Sequence, residues 1–244
     1  MGANFVGRDL RGSVVEDVDF RDSRFERVGF GGSVFRSVLF EGVRIEGEIE
    51  GLRVNGVEVA PLVEAELDRR YPERLELRPT DAEGFRVAWD VVERIWATTI
   101  ERVRELPAER LHVRVDGEWS FIQTLRHLVY ATDTWMSRAI LGDPEPWDAL
   151  DLPFDGCPPH PSLPWDLDVQ PSLDEVLALR ADRMGRVRRY VDALTDDGLN
   201  SETTPVDGPS WPPAAAYPIR ECLETILNEE WWHRRYAERD LELG

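Results

Sequence analysis

The chain has 244 residues, of which 42% are hydrophobic, and a formal net charge of −19. So acidic a composition argues against a nucleic-acid partner, because phosphate binding needs a basic surface. All 29 basic residues are arginine, which excludes Schiff-base lysines and the lysine of a P-loop. We expect neither a membrane span nor a secretory signal. Since Cys157 and Cys222 are the only cysteines, we expect a reducing, cytoplasmic location.

The first sixty residues contain a repeat with a period of five. A large apolar residue stands at every fifth position: Phe5, Leu10, Val15, Phe20, Phe25, Phe30, Phe35, Phe40 and Ile45. Two positions before each of them, starting at Ala3, stands a small or β-branched residue in every repeat but one, which has Arg8. A period of five fits neither a helix nor a strand. The pattern resembles the pentapeptide-repeat family, which implies a short right-handed β-helix over residues 3–47 with the phenylalanines pointing inward.

The segment after the repeat predicts a cap for the open end of a solenoid. Residues 52–59 suggest two strands that turn at Asn55-Gly56, and Pro61 favours a helix over residues 62–70. We place the repeat domain at residues 1–60 and the capping helix with its linker at 61–79. A structural or docking role is the simplest interpretation. DNA mimicry directed at topoisomerases ranks last, because residues 1–60 contain 11 acidic and 8 basic residues and a mimic needs a long field of one sign.

Capping signals predict an all-α four-helix bundle over residues 80–244. Three of the helices begin with a hydroxyl residue that is followed three positions later by Glu or Gln: Thr80, Ser120 and Ser172. Pro218 suits the first position of the fourth helix. The predicted helices run over about 80–106, 120–141, 172–194 and 218–241, which are bundle lengths. The long irregular connections 142–171 and 196–217 are more often functional than filler.

Polar residues interrupt the apolar faces of the second and fourth helices. His233 and Glu230 fall inside the apolar stripe of the fourth helix, and Glu229 lies at its edge. A buried carboxylate is costly unless it is paired or bound to a metal. His127 flanks the stripe of the second helix and faces a crevice between helices, where bundles place metal sites. These side chains therefore indicate a polar site inside the bundle.

Two runs of sequence on these helices resemble the DinB superfamily. Residues 118–128, with a Trp-Ser helix start before His127, look like the second-helix signature of that family. Residues 227–235 look like its last-helix signature, which is usually His-Glu-x-x-His. The resemblance implies a four-helix bundle in which three histidines bind one divalent metal. Relatives include metal-dependent thiol S-transferases, mycothiol-dependent isomerases and the amino-terminal domain of ergothioneine-forming sulfoxide synthases.

Carried over by position, the resemblance implies His127, Glu229 and His233 as metal ligands, with Glu229 in place of the first histidine of the usual pair. Two histidines and one carboxylate form a standard site for zinc or ferrous iron, and nickel is the third candidate metal. We expect the three ligand atoms to lie about 2.0–2.3 Å from one point. Glu230, which also faces inward, is the predicted candidate either to support a metal ligand through a hydrogen bond or to act as the general base. The alternative is a degenerate site in which Glu229 pairs directly with His233 or an arginine.

These features predict a metal-dependent transferase or isomerase that acts on a small molecule and uses a low-molecular-weight thiol such as mycothiol. The sequence leaves undecided whether the chain forms a homodimer. The alternative is a non-catalytic interaction or scaffold protein whose solenoid docks a partner. Other polar residues are weaker candidates for the site. We expect His112 at the surface, His160 in a loop over the pocket, Cys157 as a reactive thiol, Cys222 in the core and Asp133 in solvent.

Overall fold

The computed structural model describes residues 4–158 and 160–242. The chain divides into two compact units, the first ending at Ile49 and the second beginning at Glu50. Every helix and strand assigned in the described residues belongs to the second unit. The domain boundaries at residues 60 and 80 remain predictions. Ala3, the first small residue of the repeat, lies outside the described residues.

The five-residue period of the first unit is visible in its backbone. Left-handed backbone, with φ between 51° and 140°, recurs two residues after each apolar centre, at Gly7, Gly12, Asp17, Asp22, Arg27, Gly32, Ser37, Gly42 and Gly47. Successive phenylalanine rings from Phe20 to Phe40 contact one another with centroids 5.5–6.0 Å apart. Each five-residue step therefore contains one left-handed turn residue, and each step between Phe20 and Phe40 also contains one ring contact.

The predicted right-handed β-helix is not shown. No strand is assigned in residues 4–49, and the backbone hydrogen bonds described there are local turns, such as Ser23 N–H to the Phe20 carbonyl. The phenylalanines at positions 20 to 40 are 47–57% exposed, so they do not form the expected buried interior. A five-residue pattern specifies turns locally, whereas burial requires coils to stack on one another, and nine repeats supply little more than two coils.

The second unit begins with the predicted strand pair and helix. β1 (Arg53–Val54) pairs antiparallel with β2 (Val57–Glu58). Between them, Asn55 and Gly56 have φ of 50° and 84°, the left-handed pair that a two-residue hairpin requires. Helix α1 (Ala60–Arg70) follows, with Pro61 in its first turn.

Four long helical segments form the predicted bundle. They are α2 (Ala82–Val103), α3 (Phe121–Thr132) with its π-helical continuation Asp133–Ile140, α4 (Leu173–Ala193) and α6 (Ile219–Asp240). The short helix α5 (Asp196–Leu199) and the 3-10 turns Pro72–Leu75 and Ala108–His112 lie between them. Buried apolar residues from all four long segments form one core, including Phe85, Leu125, Val187 and Ile226. No helix in the described part of the chain has the length and apolarity to cross a membrane.

The capping signals are confirmed at two of the four helix starts. Ser120 and Ser172 each form a reciprocal capping box with the residue three positions on. Asp81 rather than Thr80 caps α2, because its carboxylate accepts a hydrogen bond from the Gly84 N–H at 2.7 Å. Pro218 stands just before α6 instead of at its first position.

Asp133 was predicted to be solvated, and this prediction was wrong. Asp133 is fully buried and pairs with Arg183 of α4 at 2.9 Å. A helical projection assigns to solvent any charged residue that lies off the apolar stripe. It cannot anticipate that an arginine on a neighbouring helix will compensate the charge inside the interface.

Candidate metal centre

Helices α3 and α6 bring three ligand-type side chains together. His127 lies in the middle of α3, and Glu229 and His233 lie one turn apart on α6. Residues four apart on a helix share a face, and α3 packs directly against α6. The local helix geometry and the packing of one helix pair therefore suffice to assemble the cluster.

The two imidazoles converge on a single carboxylate oxygen. Glu229 Oε2 lies 3.3 Å from His127 Nε2 and 2.9 Å from His233 Nε2. The imidazole centroids are 4.7 Å apart, and the three ligand atoms lie within 4.8 Å of one another. The His127 side chain is 6% exposed, whereas those of Glu229 and His233 are 30% and 22% exposed. The cluster is thus closed on the α3 side and accessible from the α6 side.

These separations fit a small divalent cation. Bonds of about 2.1 Å at tetrahedral angles place neighbouring ligand atoms about 3.4 Å apart. The separations of 2.9 and 3.3 Å are within about 0.5 Å of that value, and the three ligand atoms all lie within 4.8 Å of one another. Two imidazole nitrogens and one carboxylate oxygen are a donor set of zinc and non-haem iron sites that keep positions open.

A backbone carbonyl from the proline-rich connection 142–171 determines which nitrogen of His127 carries the proton. The Leu152 carbonyl oxygen lies 2.9 Å from His127 Nδ1. A carbonyl only accepts, so Nδ1 carries a proton and donates it. In the neutral ring, Nε2 then presents a lone pair to the Glu229 carboxylate, which is also an acceptor. Two acceptors, here His127 Nε2 and the Glu229 carboxylate, stay this close only when a second proton or a cation lies between them. A metal ion is such a cation.

Arg126 holds the loop segment that carries Leu152. Its guanidinium is 1% exposed and donates to the Leu150 carbonyl at 2.8 Å and to the Val169 carbonyl at 2.9 Å. It also donates to the carbonyl of Asp166. The two ends of the loop are therefore joined through one side chain next to His127.

Trp119 covers one side of the cluster. Its ring stacks on His233, with centroids 5.6 Å apart and 23° between the planes, and lies 4.3 Å from the His127 ring. Aromatic contact with both imidazoles restricts their rotation and excludes water from that side. The accessible side is the one that the Glu229 carboxylate borders.

The pKa of Glu229 reflects its two imidazole partners. Burial alone would raise the pKa of this carboxyl, but when the two imidazoles are protonated at Nε2, their hydrogen bonds and positive charges hold it well below its ordinary value. Glu229 is therefore an anion near neutral pH, which is the state that a metal ligand requires.

The model of the DinB superfamily matches residues 92–237, more than half of the chain, and the matched range includes all three ligand-type residues. The chain belongs to the DinB superfamily. No curated protein and no solved structure matches it. The DinB match begins after the repeat unit, and the resemblance of residues 3–47 to pentapeptide-repeat proteins has no support from these comparisons.

Glu230, the predicted base of this DinB site, has a different partner. Its carboxylate is 1% exposed and forms a bidentate pair with Arg180, in which the Nη1–Oε1 distance is 3.1 Å. The Arg180 guanidinium in turn lies 4.6 Å above the Trp96 ring. Among the described residues, the ligand-type cluster consists of His127, Glu229 and His233 without Glu230. The role of Glu230 as a base stays a prediction, and its contacts are those of a structural ion pair.

The weaker candidates do not join the DinB cluster in the described residues. His160 is exposed, and His112 is half-buried in a 3-10 turn instead of lying at the surface. Cys222 is fully buried, as expected of a core residue. Burial raises the pKa of the half-buried Cys157 thiol, which opposes its predicted reactivity.

Three contributors to the DinB site were missed in the sequence. Trp119 belongs to the Trp-Ser start that precedes His127, so that motif was a usable signal for it. The Leu152 carbonyl had no signal, because any residue supplies a backbone carbonyl. Arg126 had none either, because its partners are carbonyls from residues 24 to 43 positions away.

Proposed function

We propose that this DinB-superfamily protein is a metal-dependent enzyme, a transferase or isomerase that uses a low-molecular-weight thiol. The convergence of His127, Glu229 and His233 on one point between α3 and α6 carries the proposal. A divalent cation held there supplies Lewis acidity and favours the deprotonated form of a thiol near neutral pH. Zinc, nickel and iron all suit the donor set.

The surrounding residues suit this role. The Leu152 carbonyl keeps the His127 Nε2 lone pair directed at the cluster. Glu229 adds one negative charge that a third histidine would not, which lowers the net charge of the loaded site and shifts its metal preference. Trp119 shields one side, so that water and substrate approach from the other.

The thiol part of the proposal is supported by the resemblance to DinB thiol transferases and isomerases. Mycothiol is one candidate for the thiol. Three protein ligands leave coordination positions for a sulfur or an oxygen ligand. The second substrate is then a small molecule that enters from the accessible side of the cluster.

A second candidate is a non-catalytic interaction protein with a degenerate site. One observation favours it: Glu229 Oε2 already pairs with both imidazoles, and a proton in place of a metal satisfies the same contacts. In that case the repeat unit, with its half-exposed phenylalanine rings, would dock a partner and the bundle would serve as a scaffold.

Metal analysis of the full chain, purified without chelator, separates the two candidates. We expect about one equivalent of zinc, nickel or iron, and at least a tenfold weaker zinc affinity in Glu229→Ala and in His233→Ala. Glu229→His restores the usual three-histidine set and should bind zinc at least as well as the parent. His112→Ala is the matched control, since this histidine lies outside the cluster. Protein without stoichiometric metal, whose weak zinc binding is the same in all variants, would favour the scaffold.

A further inference from the structure

Two long loops of the helical unit, the first between Ile140 and Leu173 and the second between Leu199 and Ile219, meet over α3 in an aromatic cluster. The Tyr130 ring lies 5.7 Å from Trp147, 6.4 Å from Phe154 and 5.6 Å from Trp165, which all belong to the first loop. Trp211 of the second loop joins through Phe154 at 6.0 Å. Phe154 and Trp211 are 37% and 44% exposed and form the rim, whereas Tyr130 is buried at the floor.

Polar atoms collect at the floor of this aromatic cluster without hydrogen-bond partners among the described residues. They are the hydroxyls of Tyr130, Thr134 and Ser210 and the indole nitrogens of Trp147 and Trp165. Tyr130 and Thr134 are 2% and 1% exposed. The Tyr130 hydroxyl lies beside the hydroxyls of Thr134 and Ser210 and the Cys157 thiol, but none of these contacts has the geometry of a full hydrogen bond. Buried donors are almost always satisfied in proteins, so a group of unsatisfied ones indicates a polar ligand.

The same helix face connects this floor with the metal centre. His127, Tyr130, Thr134 and Arg138 are spaced three or four residues apart and share one side of the helix. The Tyr130 ring centroid is 5.9 Å from that of His127. The aromatic cluster is therefore adjacent to the metal centre along α3.

Arg138 adds a buried guanidinium to this face, and the charges of Asp143 and Asp207 act on it. The residue is 1% exposed, and its guanidinium donates to the backbone carbonyls of Pro144, Val206 and Gly208 at 2.9, 3.1 and 3.3 Å. Its Nε has no partner in the part of the chain that the structure describes. The hydrogen bonds of Arg138 to the described residues go to carbonyls and leave this Nε–H donor available to an acceptor.

We propose that Tyr130, Thr134 and Ser210 form a subsite that binds a carboxylate of the small-molecule substrate, while the aromatic cluster encloses its apolar part. Hydroxyls and indole N–H groups donate hydrogen bonds, and a carboxylate has the lone pairs to accept several at once. Arg138 contributes one more donor, its Nε–H, on the same helix face. This subsite deepens the proposed function and rests on it for the identity of the bound molecule as substrate.

An acid and an alcohol with the same carbon skeleton test the subsite in the full chain. The probes are 3-phenylpropionate and 3-phenyl-1-propanol, titrated against the chelator-treated protein and followed by tryptophan fluorescence. We expect the acid to bind at least tenfold more tightly than the alcohol. Tyr130→Phe and Thr134→Val should each weaken acid binding about five- to tenfold and leave alcohol binding unchanged, because each removes one hydrogen bond to a charged group. Tyr190→Phe, a tyrosine of α4, is the matched control.

A thermal melt of each variant distinguishes a binding role from a structural one. Removing an unsatisfied hydroxyl should leave the melting temperature unchanged or raise it, whereas removing a structural hydrogen bond lowers it. Equal binding of acid and alcohol, or acid binding that both variants retain, would overturn the subsite. Because these titrations use metal-free protein, acid selectivity without any zinc binding would uphold the subsite and refute the metal enzyme. Zinc binding without acid selectivity would do the reverse.

Discussion

The repeat unit and the helical unit bury their aromatic side chains to very different extents. The phenylalanines from Phe20 to Phe40 are 47–57% exposed, whereas Phe85 and Trp89 of α2 are each 1% exposed. Rings in the repeat contact partners five residues away, but the core of the helical unit joins α2, α3, α4 and α6 across long stretches of chain. A regular sequence is therefore not by itself a packed core, because burial depends on contacts between distant segments.

The two units also differ in their ion pairs. The Arg11–Asp9 pair of the repeat has side chains 92% and 59% exposed, and such pairs contribute little to stability. The Arg180–Glu230 pair of the helical unit has side chains 3% and 1% exposed. Loss of one partner from a buried pair leaves an uncompensated charge in the interior. The buried Arg180–Glu230 pair consequently constrains how the helices of its unit pack. The exposed Arg11–Asp9 pair places no such constraint on the repeat.

Truncation of one phenylalanine in each unit should test the difference in burial most clearly. Phe85→Ala removes a fully buried ring and should lower the free energy of unfolding by about 3–5 kcal/mol. Phe30→Ala removes a ring that is 48% exposed and should cost about 1 kcal/mol. Calorimetry of the full chain measures both. A cost for Phe30→Ala equal to that of Phe85→Ala would mean that the repeat is a stacked β-helix after all.

Helices were predictable from the sequence because their signals are local. The capping boxes at Ser120 and Ser172 act within three residues, so the structure reproduces them. The Asn55-Gly56 hairpin is local in the same sense. The stacking of repeats and the pairing of Asp133 with Arg183 are long-range, and no pattern within one segment encodes them.

The candidate site could be predicted only in its ligand residues. Glu229 and His233 are four residues apart on one helix, and a family motif links them to His127. The partner of Glu230 could not be predicted, because Arg180 lies 50 residues away on α4. The chain has 29 arginines, and their charge does not distinguish Arg180 from the others. Backbone partners such as the Leu152 carbonyl leave no trace in the side-chain sequence.

The buried Asp133–Arg183 pair should make the stability of the helical unit depend on pH. Burial raises the pKa of Asp133 from 3.8 to about 6, against the opposing charges of Arg183 and Arg186 and the Ser137 hydroxyl. In the unfolded chain, Asp133 ionises at its ordinary value. The folded state therefore keeps its proton longer, and this group lowers the free energy of unfolding by about 3 kcal/mol as pH rises from about 4 to about 6.

Asp151 must be controlled in that measurement, because its own pKa is raised well above the ordinary value by burial and then by the Asp133 charge. Urea unfolding across this pH range is compared for Asp151→Asn and for the double variant Asp133→Asn, Asp151→Asn. The single variant should lose stability relative to the double as pH rises. Parallel profiles would show that Asp133 ionises normally. Asp9 and Asp19 of the repeat have pKa values lowered by Arg11 and Arg21.

The smallest expected effect concerns Arg126 and the loop that it holds. Arg126→Met keeps the length of the side chain but removes the donors to the Leu150 and Val169 carbonyls. The Leu152 carbonyl is then less firmly placed against His127 Nδ1, and loss of such support typically weakens metal binding at least tenfold, about 1.4 kcal/mol. Zinc affinity from competition with a chromophoric chelator measures this change.

Arg86→Met is the matched control for Arg126, because Arg86 also donates to two carbonyls, those of Val191 and Leu194 at 3.1 and 3.0 Å, away from the ligand cluster. We expect it to lower stability and to leave zinc affinity unchanged. Nitrogen-15 NMR of the His127 ring gives a readout that needs no metal, since Arg126→Met should reduce the proton occupancy of Nδ1. If both arginine variants changed zinc affinity alike, the loop would stabilise the bundle generally, and its carbonyl would not orient the ligand.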